Sequence, residues 1–482
     1  MRKTFVLLPL AAAVLAAGCS FAPTYERPAA PIAESWPASE ATKNVQMLTE
    51  GLQQWGDFFK DKRLCALIEQ GLSGNRSLRA AVLSVEQARA QYNVSRSALL
   101  PSVSAVAQRT ARGAFDNEAL SHSSSMSNGY TANAMASYEL DLFGRVRNTN
   151  EMALQAYFQT QAAQRTAQMT LISEIANTWL GLGAAKDKLK LATETFESQE
   201  KSFNLIKNSY ELGASSLIDV HQAQTTVANA QIAKSQAIEQ LAQYRNALRL
   251  LVGGAYDASL EPETLPAEVT NPISAISNVP SEVLLNRPDI ASAEAQLRSA
   301  NANIGVARAA FFPSISLTGS AGFTSSHLSD LFKSSSSIWS FTPSVSLPIF
   351  QGGKNIQNLK AADAAKKVAV AKYESAIQTA FKEVADALAT EGTIQDQLTA
   401  TQNLAEATHT TYELALERYK NGVDSFLQVL DSQRSDFSAQ QALVNMRLAR
   451  ASSLITLYKV MGGGSQLAEE KTEAEEKDRV SK

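Results

Sequence analysis

Leu427, Asp431 and Arg434 are spaced by four and three, so on a helix they share one face. A carboxylate and a guanidinium placed this way can pair with each other or with a charge on a neighbouring element. By charge pattern alone the pair reads as a solvated one, worth ~0.5 kcal/mol on an exposed helix. Ser198 and Lys201 match Ser-x-x-Lys, a nucleophile beside a base, but they lack companion motifs and lie inside a long helical pattern. The chain has no Gly-x-Ser-x-Gly elbow, no His-Glu-x-x-His pair and no phosphate-cradling glycine loop, so it is not expected to be an enzyme. Cys19, Cys65, His122, His221, His327 and His409 are scattered, which argues against a disulfide framework, a metal site or a bound cofactor. With 44 Lys+Arg against 47 Asp+Glu, the net charge of -3 offers nucleic acid no basic surface.

Long helices must position these residues. Aromatics are only 7% of the 482 residues, a mix that favours closely packed helices over a thick core. Prolines are absent between Pro101 and Pro262, and again after Pro348. A proline costs about 3 kcal/mol inside a helix, so these gaps are what long helices require. The stretch from Arg145 to Tyr210 would measure ~100 Å as a helix, and Asn355 to Lys420 matches it. Such lengths suit coiled-coil-like or barrel-forming helices rather than a compact domain.

The chain is duplicated. Val94 to Ser104 reads against Val306 to Ser316, through Leu99-Leu100-Pro101 and Phe311-Phe312-Pro313. Leu140 to Phe143 reads against Leu347 to Phe350, Tyr210 to Gly213 against Tyr419 to Gly422, and Val252 to Gly254 against Met461 to Gly463. Shared proline breaks and glycine turns make chance similarity of alanine-rich helices the poorer explanation. The expected division is a signal peptide over 1–18, an N-terminal segment over 19–70, a first repeat over 71–254, a linker over 255–285, a second repeat over 286–464 and a tail over 465–482.

Between the helices of each repeat the period changes to two. Tyr130, Ala132, Ala134, Ala136, Tyr138, Leu140 and Leu142 share one face of a strand. Ile315, Leu317, Gly319, Ala321 and Phe323 do the same, as do Trp339, Phe341, Pro343, Val345, Leu347 and Ile349. Expected strands run about 101–113, 129–142, 313–324 and 338–349, with helix-hairpin tips near 213 and 422. Ten-residue strands with one apolar and one small-polar face fit a transmembrane barrel wall, although a half-buried sheet of a soluble domain alternates alike. Four membrane strands cannot close a barrel, and an open edge in lipid leaves backbone groups unpartnered. The strands must then be shared among copies: two copies make a filled barrel of eight, three a barrel of twelve with a lumen.

The start of the chain is an address. Arg2 and Lys3 precede the apolar run Phe5 to Ala17, which is too short to span a bilayer. Leu15-Ala16-Ala17-Gly18-Cys19 resembles a bacterial lipoprotein signal, in which Cys19 becomes the lipid-bearing first residue; Ala16 departs from the usual Leu. Ser20 after the cysteine, where Asp would favour retention, points by the same resemblance to the outer membrane.

Asn286-Arg287-Pro288-Asp289-Ile290, Ala293-Glu294, Asn303-Ile304-Gly305 and Ala309 to Leu317 resemble the signature of the outer-membrane factors of tripartite efflux pumps. Tyr138 to Arg145 and the tip Tyr419 to Arg434 resemble it too, and coverage runs to Gly464. The resemblance implies a mainly α chain with a transmembrane β-barrel: a homotrimer whose twelve-stranded barrel continues into a twelve-helix periplasmic barrel, with a mixed α/β equatorial belt. It implies a passive exit duct for drugs, partnered by a periplasmic adaptor and an inner-membrane transporter of the resistance-nodulation-division class. The gate would fall on Leu427, Asp431 and Arg434, three copies of Asp431 forming an acidic ring. The first repeat has Ile218, Gln222 and Thr225 there, so the gate is assigned to the second hairpin. Adaptor docking would fall on Gly213, Ala214, Ser215, Gly422, Val423, Asp424 and Ser425, in turns that read as glycine C-caps followed by serine N-caps. The charged tail from Gln466 is expected to be disordered. The rival reading is a non-conducting structural or adhesive surface lipoprotein.

Overall fold

The computed structural model describes residues 20–33, 54–112, 127–270, 284–285 and 287–463. Cys19, the loop between the first two strands, Asn286 and the tail lie outside them. Helices α1 (Trp55–Phe58), α2 (Lys62–Gly74) and α3 (Arg76–Ser97) lead to strands β1 (Ser102–Arg112) and β2 (Ser127–Leu140). Helices α4 (Arg145–Glu211) and α5 (Leu217–Leu251) complete the first repeat. The second follows the same order: α6 (Pro288–Ala309), β3 (Ser314–Ser325), β4 (Ser337–Ser346), α7 (Lys354–Lys420) and α8 (Phe426–Val460). Helices α4 and α7 each run 67 residues, α5 and α8 each 35. No helix among the described residues is long and apolar enough to cross a membrane.

The chain divides into two compact units. The first holds the sheet, an antiparallel meander in the order β1-β2-β3-β4. Register places Val103 opposite Ala136, Ala136 opposite Gly319, and Gly319 opposite Phe341, so the apolar sets of all four strands fall on one face. The other face carries mainly serine, threonine and amides, with Val106, Met135 and Ile338 among them. Ser316 meets Ser344 at 2.6 Å and Ser320 meets Ser340 at 2.8 Å across that polar face. Arg109 lies over the Tyr130 ring, 5.8 Å from its centroid. The outer edges of β1 and β4 carry no ladder partner among the described residues.

Two strands end earlier than their alternation suggests. β2 stops at Leu140 rather than 142, because Asp141 turns to accept the backbone N–H of Arg147 at 2.8 Å and starts α4, with Gly144 at φ +76°. β4 stops at Ser346 rather than 349, short of Pro348, which has no N–H to donate.

An N-terminal strap also belongs to this unit. Residues 20–27 run extended beside α6, and the Glu294 carboxylate gathers them. It accepts from Arg27 at 2.6 Å, Tyr25 at 3.1 Å and Arg298 at 2.8 Å. Burial raises the Glu294 pKa, but Arg27 and Arg298 outweigh it and hold the carboxyl below its ordinary value.

The second unit has its core around Trp179, which is fully buried and donates to the Leu260 carbonyl at 2.9 Å. Leu64, Leu67 and Ile68 of α2 pack there with Ile172, Ile175 and Leu182 of α4, and Tyr458 stacks on Phe58 at 4.0 Å. Gly181 sits in mid-helix because the Tyr244 ring occupies the space a Cβ would need. Much of the expected equatorial belt, 34–53, 271–283 and the tail, lies outside the described residues. Its β structure among the described residues is the single bridge Phe59–Thr270, beside α1, α2 and a short 3₁₀ turn at Ala258–Leu260. Lone bridges satisfy few backbone groups, and Glu261 does more of the joining. It accepts from Arg245 at 2.9 Å, Tyr256 at 3.1 Å and Lys186 at 2.9 Å.

Candidate functional site: the two hairpin tips

Both tips lie in the second unit and turn in the same way. Gly213 and Gly422 stand at φ +78° and +73°, a conformation that L side chains rarely adopt. Ala214 N–H bonds back to the Ser209 carbonyl at 2.8 Å, and Val423 N–H to Arg418 at 2.9 Å. Ile206 and Ala223 from the first hairpin and Phe426 and Val429 from the second form a small core just above the turns, with Phe203, Tyr412 and Tyr419 against it.

The next helix starts differently in each. Ser216 and Asp219 make a capping box: Asp219 N–H donates to Ser216 Oγ at 3.1 Å, and Ser216 N–H returns to the Asp219 carboxylate at 3.0 Å. Ser215 and Ser216 hydroxyls add bonds at 3.2 and 2.7 Å and hold the Asp219 carboxyl below its usual range, Ser216 contributing most. Ser425 makes no such bond, contrary to the expectation of matching serine caps. Gln428 stands where Asp219 would be and cannot supply the carboxylate. Instead Arg418 grips Asp424 across the turn, Nε to Oδ2 at 2.6 Å and Nη2 to Oδ1 at 3.0 Å. Ser209 and Ser215 hold those positions in the first repeat.

Leu427, Asp431 and Arg434 line the exposed face of α8, opposite Phe426, Val429 and Ser432. Side-chain exposure is 65% for Asp431 and 81% for Arg434, and Arg434 Nη2 bonds Asp431 Oδ1 at 2.8 Å on the same helix. Within one chain, then, the arginine reaches its own helix rather than a neighbouring one. Two residues farther along, Asp436 accepts from His409 of α7 at 3.1 Å, with Glu413 3.5 Å from the same ring. That bridge raises the His409 pKa, Asp436 being the main cause.

Sequence reasoning missed two features here. Leu212, Leu217 and Ile218 are exposed apolar residues beside the first turn, where Val423 and Leu427 flank the second. Their signal was an apolar residue on either side of a glycine turn. The Arg418–Asp424 clamp joins residues six apart and follows from no helical spacing. Ser198, suggested by its Ser-x-x-Lys context, meets the Tyr412 hydroxyl at 3.4 Å inside the helix packing. No group of three metal-binding side chains occurs among the described residues.

The family model for outer membrane efflux proteins matches residues 67–254 and 279–463, one stretch for each half of the duplicated chain. The chain belongs to the outer membrane efflux protein family. Family membership places it in the outer membrane, as an efflux component, and leaves the adhesive alternative without support. The probable efflux pump outer membrane protein TtgC of Pseudomonas putida is 42% identical over 468 residues, 96% of each chain. OprJ of Pseudomonas aeruginosa is 41% identical over 467 residues, covering 96% of this chain and 97% of its own. Among solved structures, the open state of the Neisseria gonorrhoeae MtrE outer membrane channel superposes with a TM-score of 0.81 at 36% identity, covering 92% of this chain and 98% of that one. The Campylobacter jejuni CmeC channel gives 0.84 at 27% identity, covering 95% and 98%.

Proposed function

We propose that three copies of this chain form the exit duct of a tripartite efflux pump, passing drugs and other small molecules from periplasm to exterior without chemistry or energy of their own. The observation that carries this reading is a four-stranded sheet with one largely apolar face and two edges unpaired among the described residues. Within the chain, β2 of the first repeat already pairs with β3 of the second, Leu140 opposite Ile315. Repeating that join puts β4 of one copy against β1 of the next, and three such joins close twelve strands around a polar lumen. The apolar face then meets lipid and the serine-rich face meets water. The curated relatives are named for toluene, solvent and antibiotic efflux, which supports a broad cargo with little chemical imprint on the duct.

In this reading the domain division stands as 19–70, 71–254, 255–285, 286–464 and 465–482 after a signal peptide over 1–18. A lipid on Cys19 anchors the chain. Gly213, Ala214, Ser215, Gly422, Val423, Asp424 and Ser425, with the apolar flank of Leu212 and Leu217, meet a periplasmic adaptor that links the duct to a resistance-nodulation-division transporter. Asp431, Arg434 and Leu427 from three copies narrow the periplasmic end, where a carboxylate ring favours cations. Light scattering of the detergent-solubilised protein is expected to give three chains, and planar bilayers containing it a cation-selective conductance. A monomer that carries no current removes the reading.

A further inference from the structure

We propose that the loop joining β3 to β4, residues 326–336, is an interfacial anchor. Leu328 and Phe332 sink into the hydrocarbon edge of the outer leaflet, and the ring of Phe323 holds Phe332 there. The anchor rests on the reading of the sheet's apolar face as the lipid-facing one. β3 leaves α6 at its Ser314 end, so Ser325 and the loop after it stand at the end of the sheet far from that helix. At this end the apolar face carries a row of rings. Tyr130 stands opposite Ser325, Phe323 opposite Ala132 and Ser337, and Trp339 opposite Ala321, all on the side of Leu317 and Phe341. Trp339 is 81% exposed. Rings so placed mark the level at which hydrocarbon gives way to headgroups.

The loop continues that face instead of crossing above the polar one. Phe332 meets Phe323 edge to face, with 5.6 Å between ring centroids and 68° between planes. A loop arched over the serine-rich side would carry Phe332 away from a ring that points to the other side of the pleat. Leu331 is buried at this fold-back, while Leu328 and Phe332 remain 61% and 71% exposed. Apolar surface continuous with a lipid-facing wall is covered by the same lipid. The backbone suits a drier setting. Two 3₁₀ turns, Leu328–Asp330 and Ser334–Ser336, keep hydrogen bonds inside the loop. Leu331 N–H donates to the Leu328 carbonyl at 3.3 Å, Lys333 N–H to Asp330 at 3.2 Å and Ser336 N–H to Lys333 at 2.9 Å. The Ser336 hydroxyl donates to the Asp330 carbonyl at 2.7 Å, and that of Ser337 to Ser334 at 2.8 Å. Groups satisfied in this way cost less to move from water toward hydrocarbon. Lys333, the loop's only lysine, pairs at 2.5 Å with Asp330, its only acid, so neither charge enters the boundary alone.

The test places a nitroxide spin label on the full-length chain in phospholipid vesicles, at Leu328→Cys, Phe332→Cys or Trp339→Cys. Ala214→Cys at the first tip is the reference in water, and the chain without an added cysteine supplies the background. Oxygen concentrates in hydrocarbon and a nickel chelate in water, so the ratio of their collision rates reads depth. Labels at positions 328, 332 and 339 should favour oxygen severalfold over the label at 214. Phe323→Ala should shift the label at 332 toward nickel and leave that at 339 unmoved. A nickel-favouring label at 328 or 332, with 339 still favouring oxygen, overturns the anchor. So does dipolar broadening between copies at 332, which would gather the loops over the bore, or a label at 332 unmoved by Phe323→Ala. A nickel-favouring label at 339 removes the lipid-facing reading of the sheet itself, and the anchor with it.

Discussion

The two hairpin tips share a backbone and differ in what holds it. Each has a glycine at positive φ and a back-bonded turn, yet the first closes on a capping box and the second on an exposed ion pair. The difference extends upward. Across the second hairpin His409 meets Asp436, while Thr226 and Gln199, both neutral, bridge the first at 2.8 Å. Asp431 and Arg434 have Gln222 and Thr225 as counterparts. Duplication supplied two equal arms, and substitution gathered ionic contacts in one of them. Ionic contacts respond to pH and salt, and capping bonds between short side chains respond far less. The second arm is therefore the responsive one.

Four substitutions or conditions probe this contrast. The largest effect is expected from Asp431→Ala with Arg434→Ala, which should raise single-channel conductance and antibiotic leakage severalfold. Gln222→Ala with Thr225→Ala should leave both unchanged, and equal effects from the two pairs would erase the distinction between arms. Next comes pH. The His409 pKa is raised by Asp436, so the bridge holds fully below the ordinary histidine value of about 6.5 and is lost as pH rises through the elevated one. Conductance should increase over that rise and become flat in His409→Gln; histidine NMR should show the resonance lost in that variant titrating above 6.5. A pH-flat wild-type channel would confine the response to the gate pair. Third, Ser216→Ala should cost about 1 kcal/mol through the lost cap and should do so at any ionic strength, as read from hydrogen exchange at Asp219 and Val220. Smallest is Arg418→Ala, a slight loss at low salt and close to nothing at high salt because the pair is exposed. A salt-independent loss there would mean that the guanidinium packs rather than pairs.

Patterns that repeat at short spacing were legible in the sequence. The strand faces follow from strict alternation through Tyr130 to Leu140, and the 67-residue helices from the missing prolines. The tips follow from glycine placed after each long helix. Contacts between distant residues were not legible. Tyr25 and Arg27 find Glu294 across more than 260 positions, and Glu261 collects Lys186 and Arg245 from two helices. Composition carries no trace of such meetings. The Glu261 hub also shows that burial need not dominate: desolvation opposes its charge, yet Arg245 and Lys186 hold the carboxyl down to about 2. At the tips, Ser425 misled because serine after a turn is only half of a cap. The other half is the residue three places on; Gln428 is of a type that can complete a capping box, yet the Ser425 side chain makes no cap bond.

In the proposed trimer, the edges of β1 and β4, unpaired among the described residues, would have one more consequence. A rim of amide and carbonyl groups keeps no record of the gene that encoded it, and alternation alone would set how a newcomer aligns. A cell that makes two such polypeptides at once cannot rely on those rims to sort them. Kin recognition would have to come from helix side chains, and where these are alike, mosaic rings are the natural product.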